Sequence, residues 1–151
     1  MGATAYWYSL GLQDSLRAIS GSTVILNGGT FGAALLTGDY PFNQDTDHFL
    51  TTAMAYEITG TGYTSLGATV NAATISYDTA SNEIRWDCSD PTWTGSSFSA
   101  QKMAIYYRLS GGTTTTWPLV IFVDFGGTYT VSSGTFTYQV AATGAGYIQT
   151  L

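Results

Sequence analysis

The side chains that could support acid–base chemistry are few, and they lie close together near residue 48. His48 is the single histidine among 151 residues, and Asp45 and Asp47 precede it. A histidine beside a carboxylate can act as a general base, but a triad also needs a nucleophile on a sharp turn and an oxyanion hole. The sequence contains no G-x-S-x-G elbow or comparable turn. We therefore expect a packed or surface histidine, and no enzyme.

The same segment has the start of a calcium loop. In Asn43-x-Asp45-x-Asp47, oxygen-bearing side chains alternate, as they do where an EF-hand converges on its ion. An EF-hand would also need glycine at its sixth position and glutamate at its twelfth, where this chain has His48 and Met54. Helix capping is the interpretation that the residue types favour over a non-standard cation site. No bound metal is predicted.

The remaining reactive groups predict structural roles. Cys88 is the one cysteine, so no disulfide can form within the chain, and its basic neighbour in sequence is Arg85 alone. We expect an inert thiol. Asp124 ends an apolar segment, where a buried carboxylate needs a partner. An ion pair with Arg85 or Arg108, or the capping of a turn, would provide one, and no cofactor is predicted.

Aromatic residues make up 15% of the chain and allow two interpretations. Aromatic side chains could line a sugar-binding groove, but they are also common in β-sandwich cores and in protein interfaces. The core and interface interpretation is favoured, because no cluster of exposed polar partners accompanies the tryptophans. The candidate stacking platforms are Trp86, Trp93, Trp117 and Tyr129.

The elements that must position these residues are mostly strands. Apolar and polar residues alternate with period two, which is typical of half-buried strands. The first predicted strand carries Tyr6, Tyr8, Leu10 and Leu12 on one face, and the turn 27–29 (NGG) joins the next two. The later predicted strands are Ser22–Leu26, Thr30–Leu36, Thr69–Tyr77, Glu83–Cys88, Ser97–Leu109, Leu119–Phe125 and Thr135–Val140. Their spacing predicts one all-β domain over residues 1–151, a β-sandwich or jelly roll, with room for an N-terminal arm at 1–8.

One short helix is predicted near residues 46–54, where Asp45 or Thr46 can cap the first amides. Its expected buried stripe is Phe49, Leu50 and Ala53. The apolar run Leu119–Phe125 predicts a strand that is covered on both faces. The predicted polar connectors are Asp78–Asn82, Asp90–Gly95, Ser110–Thr116 and Gly126–Gly134.

Charge excludes several classes of partner. Charged residues make up 9% of the chain, against about 25% in an ordinary domain. Four scattered basic residues and a net charge of −6 argue against nucleic acid and against anionic membranes, which attract clustered Lys and Arg. No apolar stretch approaches the roughly 20 residues of a membrane span. The start MGATAYWYSL lacks a signal-peptide pattern, so we expect synthesis in a cytoplasm.

Several segments together resemble a family of small virion proteins of tailed bacteriophages. They are 40–49 (YPFNQDTDHF), 56–64 (YEITGTGYT), 76–78 (SYD), 90–93 (DPTW), 104–107 (AIYY) and 118–126 (PLVIFVDFG). The resemblance covers about Tyr8 to Ile148, and the block Glu57–Thr64 is its most distinctive part. Gly60 and Gly62 in that block predict a shaped turn.

The resemblance implies a virion structural role with no catalytic residues to transfer. We expect a capsid decoration (cement) protein, a homotrimer that binds the major capsid protein on the exterior of the head and stabilises it. The alternatives are a carbohydrate-binding or receptor-binding module of a tail or fibre, and a head-to-tail adaptor component. An exterior position also suits the net charge of −6, which packed nucleic acid inside a head would repel. The candidate interface residues are Tyr6, Trp7, Tyr8, Thr113, Thr114, Thr115, Thr116 and Trp117.

Overall fold

Strands dominate the computed structural model, which describes residues 3–16 and 26–149, and the predicted all-β class is confirmed. The elements in chain order are β1 Thr4–Trp7, α1 Ser9–Leu16, β2 Phe31–Leu36, α2 Thr51–Met54, β3 Ala68–Val70, β4 Thr74–Asp78, β5 Glu83–Asp87, β6 Thr92–Tyr107, β7 Leu119–Thr137 and β8 Gly146–Gln149. The expected strand Ser22–Leu26 lies, except for its last residue, outside the described residues.

The described strands form two antiparallel sheets in a sandwich-like arrangement. The large sheet has the order β1-β7-β6-β2-β3, and the small sheet has the order β4-β5-β8. Apolar side chains of both sheets meet in a first core, where the rings of Phe31 and Trp86 make an edge contact with centroids 5.0 Å apart. The indole N–H of Trp86 donates to the carbonyl oxygen of Leu26 at 2.8 Å. The ring contact joins the two sheets, and the hydrogen bond ties the segment before β2 to the small sheet.

A second core covers the opposite face of the large sheet. Tyr8, Tyr40, Leu50 and Ala53 come from the segments that cross this face, and they pack on strand residues such as Phe122. Because both faces are covered, β2 is buried at every position and the start of β7 is apolar throughout. The prediction that Leu119–Phe125 is covered on both faces is thereby confirmed except at Asp124, which is half-buried.

The hairpin of β6 and β7 is longer than the sequence predicts. The segments Asp90–Gly95 and Gly126–Gly134 were expected to be connectors, but Thr92–Gly95 belongs to β6 and all of Gly126–Gly134 to β7. Both predictions are wrong because the glycines sit in paired strands, whose register shifts between Trp93 and Ser96 and again before Phe98. Threonine, tyrosine and valine between these glycines favour strand.

The N-terminal segment also differs from the prediction. Thr4–Trp7 forms the edge strand β1, which pairs with β7 and thus fixes part of the arm expected at residues 1–8. Leu10 and Leu12 do not continue that strand, because the chain turns into α1 at Ser9. Gly11 permits this docking, since a Cβ there would collide with the carbonyl oxygen of Leu119. Close approach of a helix to β7 thus decides the conformation of this segment.

The predicted helix at 46–54 is correct in place and wrong in extent. Only Thr51–Met54 is helical, and its N-cap residue, Leu50, makes no side-chain capping bond. Asp45 and Thr46 belong instead to a turn that Asn43 stabilises, so they cap no helix. The side-chain oxygen of Asn43 competes for the amides that a longer helix would need.

The expected strand Thr69–Tyr77 is two strands in different sheets. Ala68–Val70 pairs with β2 in the large sheet, whereas Thr74–Asp78 pairs with β5 in the small sheet. The chain changes sheets between them, where Ala72 has a φ of 53°. Alternation alone does not reveal such a crossing, because both strands continue the same period.

Candidate functional site

The oxygens of the motif Asn43-x-Asp45-x-Asp47 stabilise a turn. Oδ1 of Asn43 accepts the backbone N–H groups of Asp45 and Thr46 at 3.0 and 3.2 Å. Oδ2 of Asp47 accepts the hydroxyl of Tyr40 at 2.7 Å and the backbone N–H of Asn43 at 2.9 Å. Within residues 3–16 and 26–149, no group of three or more His, Cys, Asp or Glu residues could hold a metal ion.

His48 pairs with a carboxylate that the sequence did not suggest. Its Nε2 lies 2.7 Å from Oδ2 of Asp14, a buried residue of α1, and its ring stacks on Phe49. The backbone carbonyl of His48 accepts the N–H of Leu119. The nearby hydroxyl of Ser9 donates to Asp45 and not to the imidazole. The His48–Asp14 pair therefore joins α1 to the segment 40–49 and to β7.

A buried hydroxyl chain continues from the same segment into the second core. The hydroxyl oxygens of Tyr8 and Tyr40 lie 3.1 Å apart, and Tyr40 donates to Asp47. Burial is the main cause that raises the pKa of Tyr8 and of Tyr40, and the Asp47 carboxylate raises both further. Both phenols are thus held neutral, which suits packing and hydrogen bonding.

Cys88 and Asp124 have the structural roles predicted for them. Cys88 is buried, and burial together with Asp87 and Asp90 raises the pKa of its thiol to about 12, which agrees with the expected inert thiol. Oδ1 of Asp124 accepts the backbone N–H of Gly126 at 2.8 Å, which is the predicted turn cap.

The alternative expected for Asp124, an ion pair with Arg85 or Arg108, does not form. Arg85 pairs with Asp78 at 2.6 Å and with Glu83 at 2.9 Å. Arg108 donates to the hydroxyl of Tyr106 at 3.1 Å. Arg108 also donates to the carbonyl oxygen of Leu66 at 3.5 Å, so both guanidinium groups bind partners other than Asp124.

The interface candidates divide into exposed and covered side chains. Tyr6 is 45% exposed, whereas Tyr8 is fully buried and contributes no surface. Trp7 is half-buried, lies against Trp86 and donates its indole N–H to the carbonyl of Tyr147. Tyr6 is therefore the member of this trio with a large accessible face.

The second group of candidates forms a turn at the surface. Thr113, Thr115 and Thr116 are exposed, and Thr114 is half-buried. The backbone of Thr113 accepts N–H groups from Thr116 and Trp117. Trp117 is half-buried, stacks on Tyr106 and donates to the carbonyl of Leu109. Its ring thus serves the fold.

The tryptophans proposed as sugar platforms serve the core instead. Trp86 and Trp93 are buried in the first core, so the core interpretation is confirmed for them. Tyr129 is 47% exposed but lies on β7, in contact with Phe125. These residues do not form a common stacking surface.

An open groove of about 610 Å³ lies instead on the β1 edge of the large sheet, and we name it the Tyr6 groove. Its floor and wall come from three strands and from the segment 40–43. The residues that give it its chemistry are Tyr6, Phe42, Asn43, Lys102, Phe122 and Asp124.

Lys102 and Asp124 face each other in the Tyr6 groove without forming an ion pair. They are direct partners in the register of β6 and β7. The ammonium group of Lys102 donates to the carbonyl oxygens of Gly38 and Tyr40, both at 2.7 Å. The sequence signal for this site is Lys102 within a largely apolar segment of β6, which spacing alone does not reveal.

A second surface is apolar, and we name Ile75, Tyr77 and Ile84 the small-sheet patch. Ile75 lies opposite Trp86 and Tyr77 lies opposite Ile84, so all four side chains share one face of the small sheet. Trp86 is buried, whereas the three patch residues are exposed. Among the strands of residues 3–16 and 26–149, β4 is an edge of its sheet.

Comparison of the chain with protein-family models, with curated proteins and with solved structures found no match. Among the helices of the described residues, none is long and apolar enough to cross a membrane.

Proposed function

We propose that this chain is a non-enzymatic structural protein of a tailed-phage virion, a capsid decoration protein that binds the outer surface of the head. The observation that carries the proposal is the small-sheet patch, in which large apolar side chains lie exposed on and beside β4, an edge among the described strands. Clustered exposed apolar residues mark surfaces for protein partners. The expected partner is the major capsid protein.

Attachment through this surface would depend on apolar contacts and backbone hydrogen bonds. An edge strand such as β4 can add a strand from a partner, and its alternate side chains, Ile75 and Tyr77, then supply specificity. The chain has four basic residues, and Arg85 on the neighbouring strand already pairs with Asp78 and Glu83. Binding should therefore depend weakly on salt.

The stabilising mechanism is thermodynamic linkage. A protein that binds the assembled shell and not its free subunits stabilises the shell by mass action, and many equivalent sites add their effects. A homotrimer over a local three-fold axis would place three patches on the shell at once. The net charge of −6 favours the exterior, because packed nucleic acid would repel it inside.

The first experiment compares the melting temperature of heads with and without the protein. A higher value with the protein supports the proposal, and equal values contradict it. Release of the protein by moderate salt, or its full protection from surface labelling on intact heads, also contradicts it. Six- or twelve-fold rings in negative-stain images would indicate the adaptor instead.

A matched pair of variants tests the surface. Ile75→Lys places a charge in the small-sheet patch, whereas Thr94→Lys places one at an exposed position of β6. We expect Ile75→Lys to weaken binding to heads at least about tenfold, and Thr94→Lys to leave it unchanged, because desolvating a lysine against an apolar partner is costly. Equal binding by both variants would contradict the assigned surface.

A further inference from the structure

We propose that the Tyr6 groove is a binding site for a short, neutral saccharide. The inference does not rest on the capsid position proposed above, because it uses a different surface of the chain. The volume of about 610 Å³ lies within the range of roughly 300 to 1,000 Å³ that is usual for small-ligand sites. The groove is open, which suits a chain-like ligand more than a compact one.

Three aromatic rings lie together in the Tyr6 groove. Phe42 stacks on Phe122 with centroids 3.9 Å apart and planes 9° from parallel. The ring of Tyr6 lies beside them, at 32° to Phe42 and 24° to Phe122. Tyr6 and Phe42 thus form a nearly continuous apolar platform, of the kind on which the C–H face of a pyranose ring can lie.

Lys102 and Asn43 place hydrogen-bond donors at the groove. Lys102 uses two of its three N–H donors on Gly38 and Tyr40, which leaves one. Oδ1 of Asn43 is occupied by backbone amides, so its amide NH₂ is the part of the side chain that can donate to a ligand.

Asp124 supplies the acceptor. Its Oδ1 binds the N–H of Gly126, and Oδ2 takes part in none of the hydrogen bonds described for this residue. Sugar hydroxyls both donate and accept, so two donors and one acceptor around an apolar platform match them. The opposite charges of Lys102 and Asp124 offset each other, which favours a neutral ligand over an anionic one.

A proline-rich peptide is the competing ligand for an aromatic groove. Such peptides dock on aromatic rings in an extended helix and have few donors of their own. A carboxylate acceptor beside the platform would then lack a partner, so the groups of the Tyr6 groove favour the saccharide. The test includes the peptide as a separate arm.

The experiment is saturation-transfer NMR with the full chain and three probes: maltotriose, cellotriose and triacetylchitotriose. We expect magnetisation transfer from the protein to at least one saccharide at millimolar saccharide concentration. Titration of that saccharide then gives its dissociation constant. Tyr6→Ala should weaken binding about tenfold, the effect of losing most of the stacking contact. Tyr129→Ala, at a tyrosine of matched exposure, should leave it unchanged.

A second variant separates the polar contact from the platform. Asp124→Asn retains an oxygen for the N–H of Gly126, so the turn should persist. It removes the charge that accepts a sugar hydroxyl, so the saccharide should bind about fivefold more weakly. The melting temperature of each variant checks that the fold is intact. No transfer to any of the three saccharides, equal effects of Tyr6→Ala and Tyr129→Ala, or binding of a polyproline peptide alone would overturn the proposal.

Discussion

The hydroxyl of Tyr63 donates a hydrogen bond of 2.7 Å to Oε1 of Glu57, and it also accepts the backbone N–H of Leu35 at 3.1 Å. Glu57 in turn accepts the N–H of Leu66 at 2.6 Å and the hydroxyl of Ser65 at 2.8 Å. The most distinctive block of the sequence is thus tied to strand β2. The hydrogen bonds of Glu57 hold the backbone of this block in its turn.

We expect Tyr63→Phe to lower the free energy of unfolding by about 1–2 kcal/mol. The substitution leaves the amide of Leu35 and the carboxylate of Glu57 without this partner, and unmet partly buried groups carry a desolvation cost. Urea denaturation measures the change. Tyr129→Phe, at an exposed tyrosine, is the control and should stay within about 0.5 kcal/mol; equal losses would show that the hydrogen bonds contribute nothing.

Stability should decrease at alkaline pH. Burial is the main cause that raises the pKa of Tyr8, Tyr40 and Tyr63, and nearby carboxylates add to it. Unfolded tyrosine ionises near pH 10, so above that pH the native state holds more protons than the unfolded state and the free energy of unfolding falls. Below about pH 9 the contribution of these phenols is constant.

Denaturant titrations between pH 7 and 12 check this expectation. The midpoint concentration of urea should be flat up to about pH 9 and decline above about pH 10. In Tyr63→Phe the alkaline decline should be shallower, because one of the raised groups is gone. A midpoint that stays constant up to pH 12 would contradict the assignment.

The sequence predicts the β class because its strands have physical signatures of their own. Leu119–Val123 is apolar on both faces, and the two cores on either side of the large sheet account for that pattern. The turn in the block Glu57–Thr64 follows from Gly60 and Gly62, whose φ values of 156° and 73° confirm it. Local signals sufficed for these features.

Features that depend on distant contacts were not accessible from local signals. Asp14 and His48 are far apart in sequence, and the docking of α1 that brings them together depends on close contact with β7. The Tyr6 groove likewise combines side chains from three strands and a loop. Spacing along one strand does not predict such a site.

Two glycines with similar backbone angles should respond differently to alanine. Gly67 and Gly28 have φ values of 68° and 76°, so a side chain is strained at both. At Gly67 a Cβ would also collide with the carbonyl oxygen of Ala33, whereas at Gly28 it would meet open space. We expect Gly28→Ala to cost about 1–2 kcal/mol, and Gly67→Ala to cost at least twice as much. Urea denaturation of both variants decides, and equal costs would contradict the close approach.

Cys88 should resist alkylation in the folded protein. Its thiol is buried, and its pKa of about 12 leaves almost no thiolate at neutral pH. We expect iodoacetamide to label the native chain far more slowly than the urea-unfolded chain at pH 8, as mass spectrometry will show. Comparable rates would mean that the site opens frequently without global unfolding.

Removal of metal ions should not alter the stability of the protein. Two side-chain oxygens of the turn that Asn43 begins already accept hydrogen bonds. Oδ1 of Asn43 accepts two backbone N–H groups, and Oδ2 of Asp47 accepts the hydroxyl of Tyr40 and the backbone N–H of Asn43. A cation bound to either of these two oxygens would have to compete with these donors. We therefore expect the same melting temperature in excess chelator and in millimolar calcium.

The variant Asp47→Ala separates the two roles that this carboxylate could have. If Asp47 is only a hydrogen-bond acceptor, the variant should lose about 1–3 kcal/mol of stability. The loss should be the same with chelator and with calcium present. If Asp47 binds a cation, the variant should lose stability only when calcium is present. A drop of several degrees when chelator is added to the unsubstituted chain would therefore restore the cation site and contradict the turn-stabilising role.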